Sequence, residues 1–442
     1  MIKKIGILCA ILLSSGIAQT YLDAIRPFWG MSGRSAARAT GDIVGVFDTE
    51  ALLQNPAALT YITRAFAQID GSFDHVKGRT LLSSHYLEQR FLDSLSGSQF
   101  RFNQVSLALP INVYRGSWVW AGGIQPVTIF DRKGQFSFWD ADPSQLVNRK
   151  YTLFEEGALY AASLGTAVLF TKELSLGISG SYLFGSNIYT NTYSEEDTDH
   201  IYAFARYLDS LGIKADYKGW NLKGGFVLQF PNELLLGGTI ETPGILQVEE
   251  SSEHLKMEIM DDGQPSLYES SPRRIEYKLT GPWRLGVGVS FKYNPLYFTL
   301  GYRYHTYSNM SFKSNLIESE TDSTYIDSRV NAEIRTDLRS TGELMGSMRY
   351  FADGGYLQVG LSRQAQPIKT YPGDIFRMDV NLGFTPAPNY EYSLGFQYYS
   401  FNANSIQVSA LIHEDTGDPI VSIPTDTKHS VTRFMFGVKF YL

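Results

Sequence analysis

Residues 284–305, RLGVGVSFKYNPLYFTLGYRYH, alternate with a period of two. Leu285, Val287, Val289, Phe291 and Tyr293 fall on one face, and Gly286, Gly288, Ser290 and Lys292 on the other. Beyond Asn294-Pro295 the figure resumes, with Leu296, Phe298, Leu300, Tyr302 and Tyr304 opposite Tyr297, Thr299, Gly301, Arg303 and His305. A helix scatters such residues around its axis, whereas a strand separates them cleanly. The stretch therefore predicts two strands of about ten residues joined by a tight turn. The same figure recurs at 160–184 about Thr171-Lys172-Glu173, at 220–240 about Pro231-Asn232-Glu233, and at 376–398 about Pro386 to Asn389. Less regular hairpins turn near 111–117 and at Ala352-Asp353-Gly354-Gly355.

Between these hairpins lie longer polar segments, at 76–99, 131–154, 189–217, 247–281, 311–337, 365–371 and 405–429. They read as loops. A soluble sandwich has no need for short turns at one end and long loops at the other, but a transmembrane barrel shows that asymmetry. An open sheet edge cannot face lipid, so an even-stranded antiparallel sheet closes on itself. The expectation is an all-β fold, an antiparallel transmembrane β-barrel of about fourteen strands. Tyr293, Tyr302, Tyr304 and Tyr398 stand towards strand ends, where an interfacial girdle would be.

The N-terminus predicts export. Lys3 and Lys4, the apolar run Ile5 to Leu13, and Gly16-Ile17-Ala18 form the three parts of a signal peptide over residues 1–18. Cys9 is the only cysteine and lies inside it, so the mature chain would have neither disulfide nor cysteine nucleophile. A formal charge of −7 without a Lys/Arg cluster argues against nucleic acid. The seven histidines are scattered without a His-x-x-x-His pair, so no metal site or cofactor is expected. No catalytic constellation emerges, and the chain does not read as an enzyme. Inward arginines such as Arg303, Arg377 and Arg433 could meet a carboxylate, or could make lumen salt bridges.

Three local features remain. Residues 19–63 are too many for a simple lead-in to a barrel, and they include the compact knot Asn55-Pro56-Ala57. In the third strand, WVWAGGIQPVTIF (118–130), Gly122 and Gly123 give backbone freedom and Pro126 removes a ladder donor, which predicts a break there. In 81–97, Leu87, Phe91 and Leu95 recur at the spacing of one helical face, as do Phe204, Leu208 and Leu211 in 203–213. These could form an apolar landing site for a ligand, or could cap the barrel mouth.

The segment GMSGRSAARATGDIVGVFDTEALLQNPAALTYI (30–62) resembles the N-terminal hatch of the FadL-type long-chain fatty-acid transporters of the outer membrane. Gly33-Arg34, Asp48 and Asn55-Pro56-Ala57 carry the likeness, with LSLGISGSYLFG, LLLGGTIETPG and the closing FMFGVKF further along. The closing strand RFMFGVKFYL also resembles the outer-membrane assembly signal, though it ends on Leu442 with Tyr441 one place earlier. The resemblance implies a signal peptide, a plug over 19–63 and a barrel over 64–442. It implies uptake of long-chain fatty acids or other hydrophobic small molecules, leaving sideways at a kinked third strand beside Asn55-Pro56-Ala57. Partners would be the hydrophobic ligand, outer-membrane lipid and lipopolysaccharide, and the assembly machinery. Relatives of the PorV type keep this barrel but dock exported proteins, which is the alternative.

Overall fold

The computed structural model describes residues 26–28, 43–82, 91–139, 147–198, 200, 204–231, 233–269, 273–314, 320–371, 373–409 and 422–442. The proposed signal peptide lies outside them. From Phe66 the chain is almost entirely strand: β1 (Phe66–Leu82), β2 (Phe91–Ile111), β3 (Trp118–Ile129), β4 (Arg132–Trp139) and β5 (Val147–Leu169). There follow β6 (Leu174–Asp197), β7 (Phe204–Gln229), β8 (Leu234–Glu241), β9 (Ile245–Met260), β10 (Pro265–Glu269), β11 (Arg273–Thr280) and β12 (Arg284–Tyr293). The last are β13 (Leu296–His305), β14 (Ser311–Ser314), β15 (Thr341–Ala352), β16 (Gly355–Ala365), β17 (Asp374–Ala387), β18 (Tyr390–Ser409) and β19 (Ser422–Tyr441).

Every pairing is antiparallel between near neighbours, and β1 closes on β19 from Phe66↔Tyr441 to Leu82↔Thr425. Four staves are interrupted, so that β3 with β4, β8 with β9, β11 with β12 and β13 with β14 each continue one line of the wall. Among the described residues β10 folds back on β9 alone. The result is a closed barrel of fourteen staves with its short turns at one end.

The alternation sorts side chains between two environments. Along β1, Gln68, Asp70, Ser72 and Asp74 are buried, while Ile69 and Phe73 are more than half exposed. Leu164, Ile178, Val287, Leu300 and Phe434 continue the outward apolar band. So large an exposed apolar surface is not that of a soluble monomer but suits the hydrocarbon of a membrane. No helix among the described residues is long and apolar enough to cross a bilayer, and the strands do the crossing.

The polar segments are largely strand rather than loop. β6 and β7 stay paired as far as Glu196↔Arg206, and β7 with β9 as far as Phe204↔Met260. Beyond the membrane both faces of a ladder meet water, so the hydropathy alternation that marks a strand fades while its hydrogen bonds persist. Within 311–337 a helix, α1 (Glu320–Asp337), also forms. It turns Val330 and Ile334 into a buried apolar cluster with Phe130, Leu159, Leu246 and Tyr399 on the inner wall. Asn331 ties it to β14 by bonding both the N–H and the C=O of Phe312, each at 2.8 Å.

Candidate functional site: an inserted segment and a broken ladder

At the short-turn end, residues 43–62 are folded into the lumen. Two capped turns shape them. The Asp48 carboxylate accepts from the N–H of Glu50 and starts the short helix Thr49–Leu52. Asn55, with extended backbone, accepts from Ala57 N–H at 3.1 Å and starts Pro56–Tyr61. Proline at the first helical position gives up an N–H that would have had no partner there. Asn55 and Ala57 are fully buried, and Pro56 is buried with them.

The wall grips this segment on several sides. Asn55 Nδ2 donates to the carbonyls of Ile43 (3.0 Å) and Phe226 (3.2 Å). Ser179 Oγ donates to Leu52 O at 2.7 Å, Thr60 Oγ1 to Ser175 Oγ at 2.9 Å, and Gln104 Nε2 to Thr49 Oγ1 at 2.6 Å. Lys223 donates to the Leu53 carbonyl, and Arg303 to Gln54 Oε1 at 2.7 Å. Gly177 and Gly225 make the close fit possible: a Cβ on Gly177 would meet the Pro56 backbone, and one on Gly225 would meet Asn55 Oδ1. Within the segment, burial pushes the Tyr61 phenol up to about 12.

Above it runs a belt of buried charge. Glu241 holds Lys223 at 2.8 Å and Arg284 at 2.9 Å; Glu343 holds Arg377 at 3.1 Å and Arg303 at 3.7 Å. Arg284 also donates to the carbonyl of Phe28 at 3.1 Å, and Thr128 to that of Pro27 at 2.8 Å. Across the lumen, Arg433 makes a double contact with Asp74, both at 2.8 Å. Arg303, Arg377 and Arg433 therefore all take part in lumen ion pairs.

The ladder breaks at β3. β2 and β3 pair from Ile111↔Trp118 to Val105↔Ile124 and no further. From Gln104 to Phe91 the second edge of β2 has no strand partner among the described residues. Gly122 and Gly123 are the third- and second-last pairs before the break, and the register of β3 against β5 shifts between Pro126 and Thr128. The chain then turns inwards, so that a Cβ on Gly78 of β1 would meet the backbone of Lys133 and Gly134. Side chains bridge the seam: Arg101 donates to Asp131 at 2.6 Å, Gln99 also bonds Asp131, and Gln135 reaches Asp93 at 3.3 Å. Beside it a hollow of about 570 Å³ is lined by outward Val105, Ile124 and Leu164 and by inward Ser106 and Ser163.

The expected helical faces are not helical. Phe91 and Leu95 lie on β2, opposite Leu82 and Gly78 of β1, and Leu87 lies outside the described residues. Phe204, Leu208 and Leu211 lie half-buried on β7, opposite Met260, Met257 and His254 of β9. A spacing of four is also even and fits one face of a strand, but the three-residue step from Leu208 to Leu211 puts those two on opposite faces of β7. Ladder pairing with β1 and β9 decides the matter. Sequence reading missed the Asp74–Arg433 and Arg101–Asp131 pairs, for which the available signal was charge at inward positions of the alternation.

A family model described as BamG matches residues 1–333. No curated protein matches. Among solved structures, a Pseudomonas aeruginosa FadL homologue superposes with a TM-score of 0.60 at 12% identity, covering 94% of this chain and 99% of that one. The P. putida toluene transporter TodX gives 0.56 at 11%, covering 93% and 99%. The Ralstonia pickettii toluene transporter TbuX gives 0.52 at 11%, covering 94% and 99%. At such identities the likeness is one of fold.

Proposed function

The chain belongs to the BamG family, and we propose that it is an outer-membrane channel for uptake of long-chain fatty acids or other hydrophobic small molecules, which leave it sideways. The observation that carries the reading is the ladder break at Val105↔Ile124 beside a lumen closed below by residues 43–62. An apolar compound entering from the long-connection end would pass through a buried apolar cluster, at Phe130, Leu159 and Leu246, which would have to part to admit it. The inserted segment bars the axial route, and the seam offers one towards lipid. Lateral exit spares such a compound the cost of re-entering water. In this reading Asn55-Pro56-Ala57 hold the gate shut, and Gly122, Gly123 and Pro126 keep the third stave broken. Residues 1–18 serve as a signal peptide, 19–63 as the plug and 64–442 as the barrel.

A second reading is docking of an exported protein, and the paired strands that continue past the apolar band favour it. β10 pairs with β9 alone among the described residues, leaving an edge that another strand could join. Native mass spectrometry of the protein in mild detergent separates the two. A stoichiometric apolar small molecule supports the channel, and a co-purifying polypeptide without one supports docking.

A further inference from the structure

A second cavity, of about 410 Å³, opens at the short-turn end beneath the inserted segment. Phe47 and Tyr61 of that segment form its roof, and Tyr297, Phe351 and Tyr356 of the wall stand around it. The rings are mutually braced, with Phe47 at 5.7 Å from Tyr61 and at 5.6 Å, edge-on, from Tyr297. Among them lies Arg349, only 7% exposed. Its guanidinium sits 4.8 Å from the Tyr356 ring, 5.5 Å from Phe47 and 5.8 Å from Phe351. Nε and Nη2 donate to Gln358 Oε1 at 3.1 and 2.5 Å. Among the described residues no carboxylate stands within ion-pair distance of it, and Nη1 has no hydrogen-bond partner.

The acids of this cavity are engaged elsewhere. Glu391 holds Lys439 at 3.3 Å and accepts from Tyr441 at 2.7 Å. Glu233 stands 3.5 Å from Lys292 at the exposed rim. Asp48 caps its own turn. A buried cation without a counter-charge is costly, and an acid that reached it would gain both charge and hydrogen bonds. We propose that this vestibule is a binding site for a small organic monocarboxylate with an aromatic or short aliphatic body, taken from the short-turn side. The rings would stack its body and Arg349 Nη1 would donate to its carboxylate. The volume lies within the usual range for small-ligand pockets, roughly 300–1,000 Å³. The proposal does not rest on lateral exit.

The test is calorimetric titration of the full-length protein in detergent with 3-phenylpropionate and, separately, with 3-phenylpropanol, each corrected for empty micelles. The acid is expected to bind saturably and the alcohol not. Arg349→Gln should weaken the acid by about tenfold or more, a charge-assisted bond being lost, while Lys172→Gln, on an exposed turn outside the cavity, leaves it unchanged. Equal binding of acid and alcohol, or full affinity in Arg349→Gln, overturns the proposal. Should Arg349→Gln fail to assemble, maleimide labelling of a Tyr356→Cys variant decides. Slowing by the acid and not by the alcohol supports the site, and equal rates reject it.

Discussion

Asn55 Nδ2 lies 3.2 Å from the carbonyl oxygen of Phe226, joining the inserted segment to a wall strand 171 residues further along the chain. The same side chain caps the turn Pro56–Tyr61 through its oxygen. Asn55→Ala removes both roles and leaves buried backbone groups unpaired, at about 1–2 kcal/mol for the cap alone. The expected result is faster hydrogen exchange confined to 43–62, with the strands unchanged. Asn55→Asp keeps the acceptor but sets a buried carboxylate against the carbonyls of Ile43 and Phe226, so exchange should rise at least as much. Unchanged exchange in Asn55→Ala would mean that the other wall contacts suffice.

Gly225→Val tests the seat itself. A Cβ there would occupy the place of Asn55 Oδ1, and two further methyls make the conflict worse. Of the flanking ladders only Gly238 O of β8 comes near, at 3.3 Å, so heat-modifiable migration should persist. Planar-bilayer conductance is expected to rise as the segment is displaced. A folded Gly225→Val barrel with wild-type conductance would show that 43–62 does not limit the axial path.

At the seam, an added side chain on Gly123 would stand 2.7 Å from Ser106 Cβ and 2.9 Å from Val105 O, whereas Gly122 has nothing nearer than 3.5 Å. Pro126→Leu restores a ladder donor at the register shift. If apolar compounds leave here, Gly123→Val and Pro126→Leu should each lower uptake of a radiolabelled fatty acid several-fold. Gly122→Val, whose Cβ meets only ordinary contacts, should lower it less than Gly123→Val. Wild-type uptake in the first two variants sinks lateral exit at this place.

How much could be read beforehand depended on what each segment faces. In 284–305 one face meets lipid and the other the lumen, so alternation alone yields β12, β13 and the turn between them. Residues 249–258, EESSEHLKME, form a strand of equal regularity with no such contrast, because both faces lie outside the apolar band. α1 went unread for a different reason: Ile326, Val330 and Ile334 recur every four residues, but in so polar a run that the stripe gains its meaning only from a lumen cluster assembled from distant strands. The caps at Asp48 and Asn55 are local chemistry and could be read as turns. The partner of Asn55 could not, since it is a backbone carbonyl that only closure of the barrel brings near. Gly122, Gly123 and Pro126 announced weakness in a strand, but the distance over which β2 loses its neighbour follows from where β4 packs.

The last prediction concerns closure. Asp74 on β1 and Arg433 on β19 are fully buried and face each other across the seam where the barrel's first and last strands meet. Arg433 also donates to Gln397 Oε1 at 3.2 Å, and Arg101 stands 3.6 Å from Asp74. Removing one partner of such a pair strands the other charge, at about 3–5 kcal/mol, whereas removing both is often close to neutral. Asp74→Ala and Arg433→Leu should therefore each lower the urea midpoint of the barrel in vesicles. The double variant should recover much of the loss, incompletely because Arg101 would keep only Asp131. Additive losses in the double variant would show that the two side chains act independently, and that ladder hydrogen bonds alone hold β1 to β19.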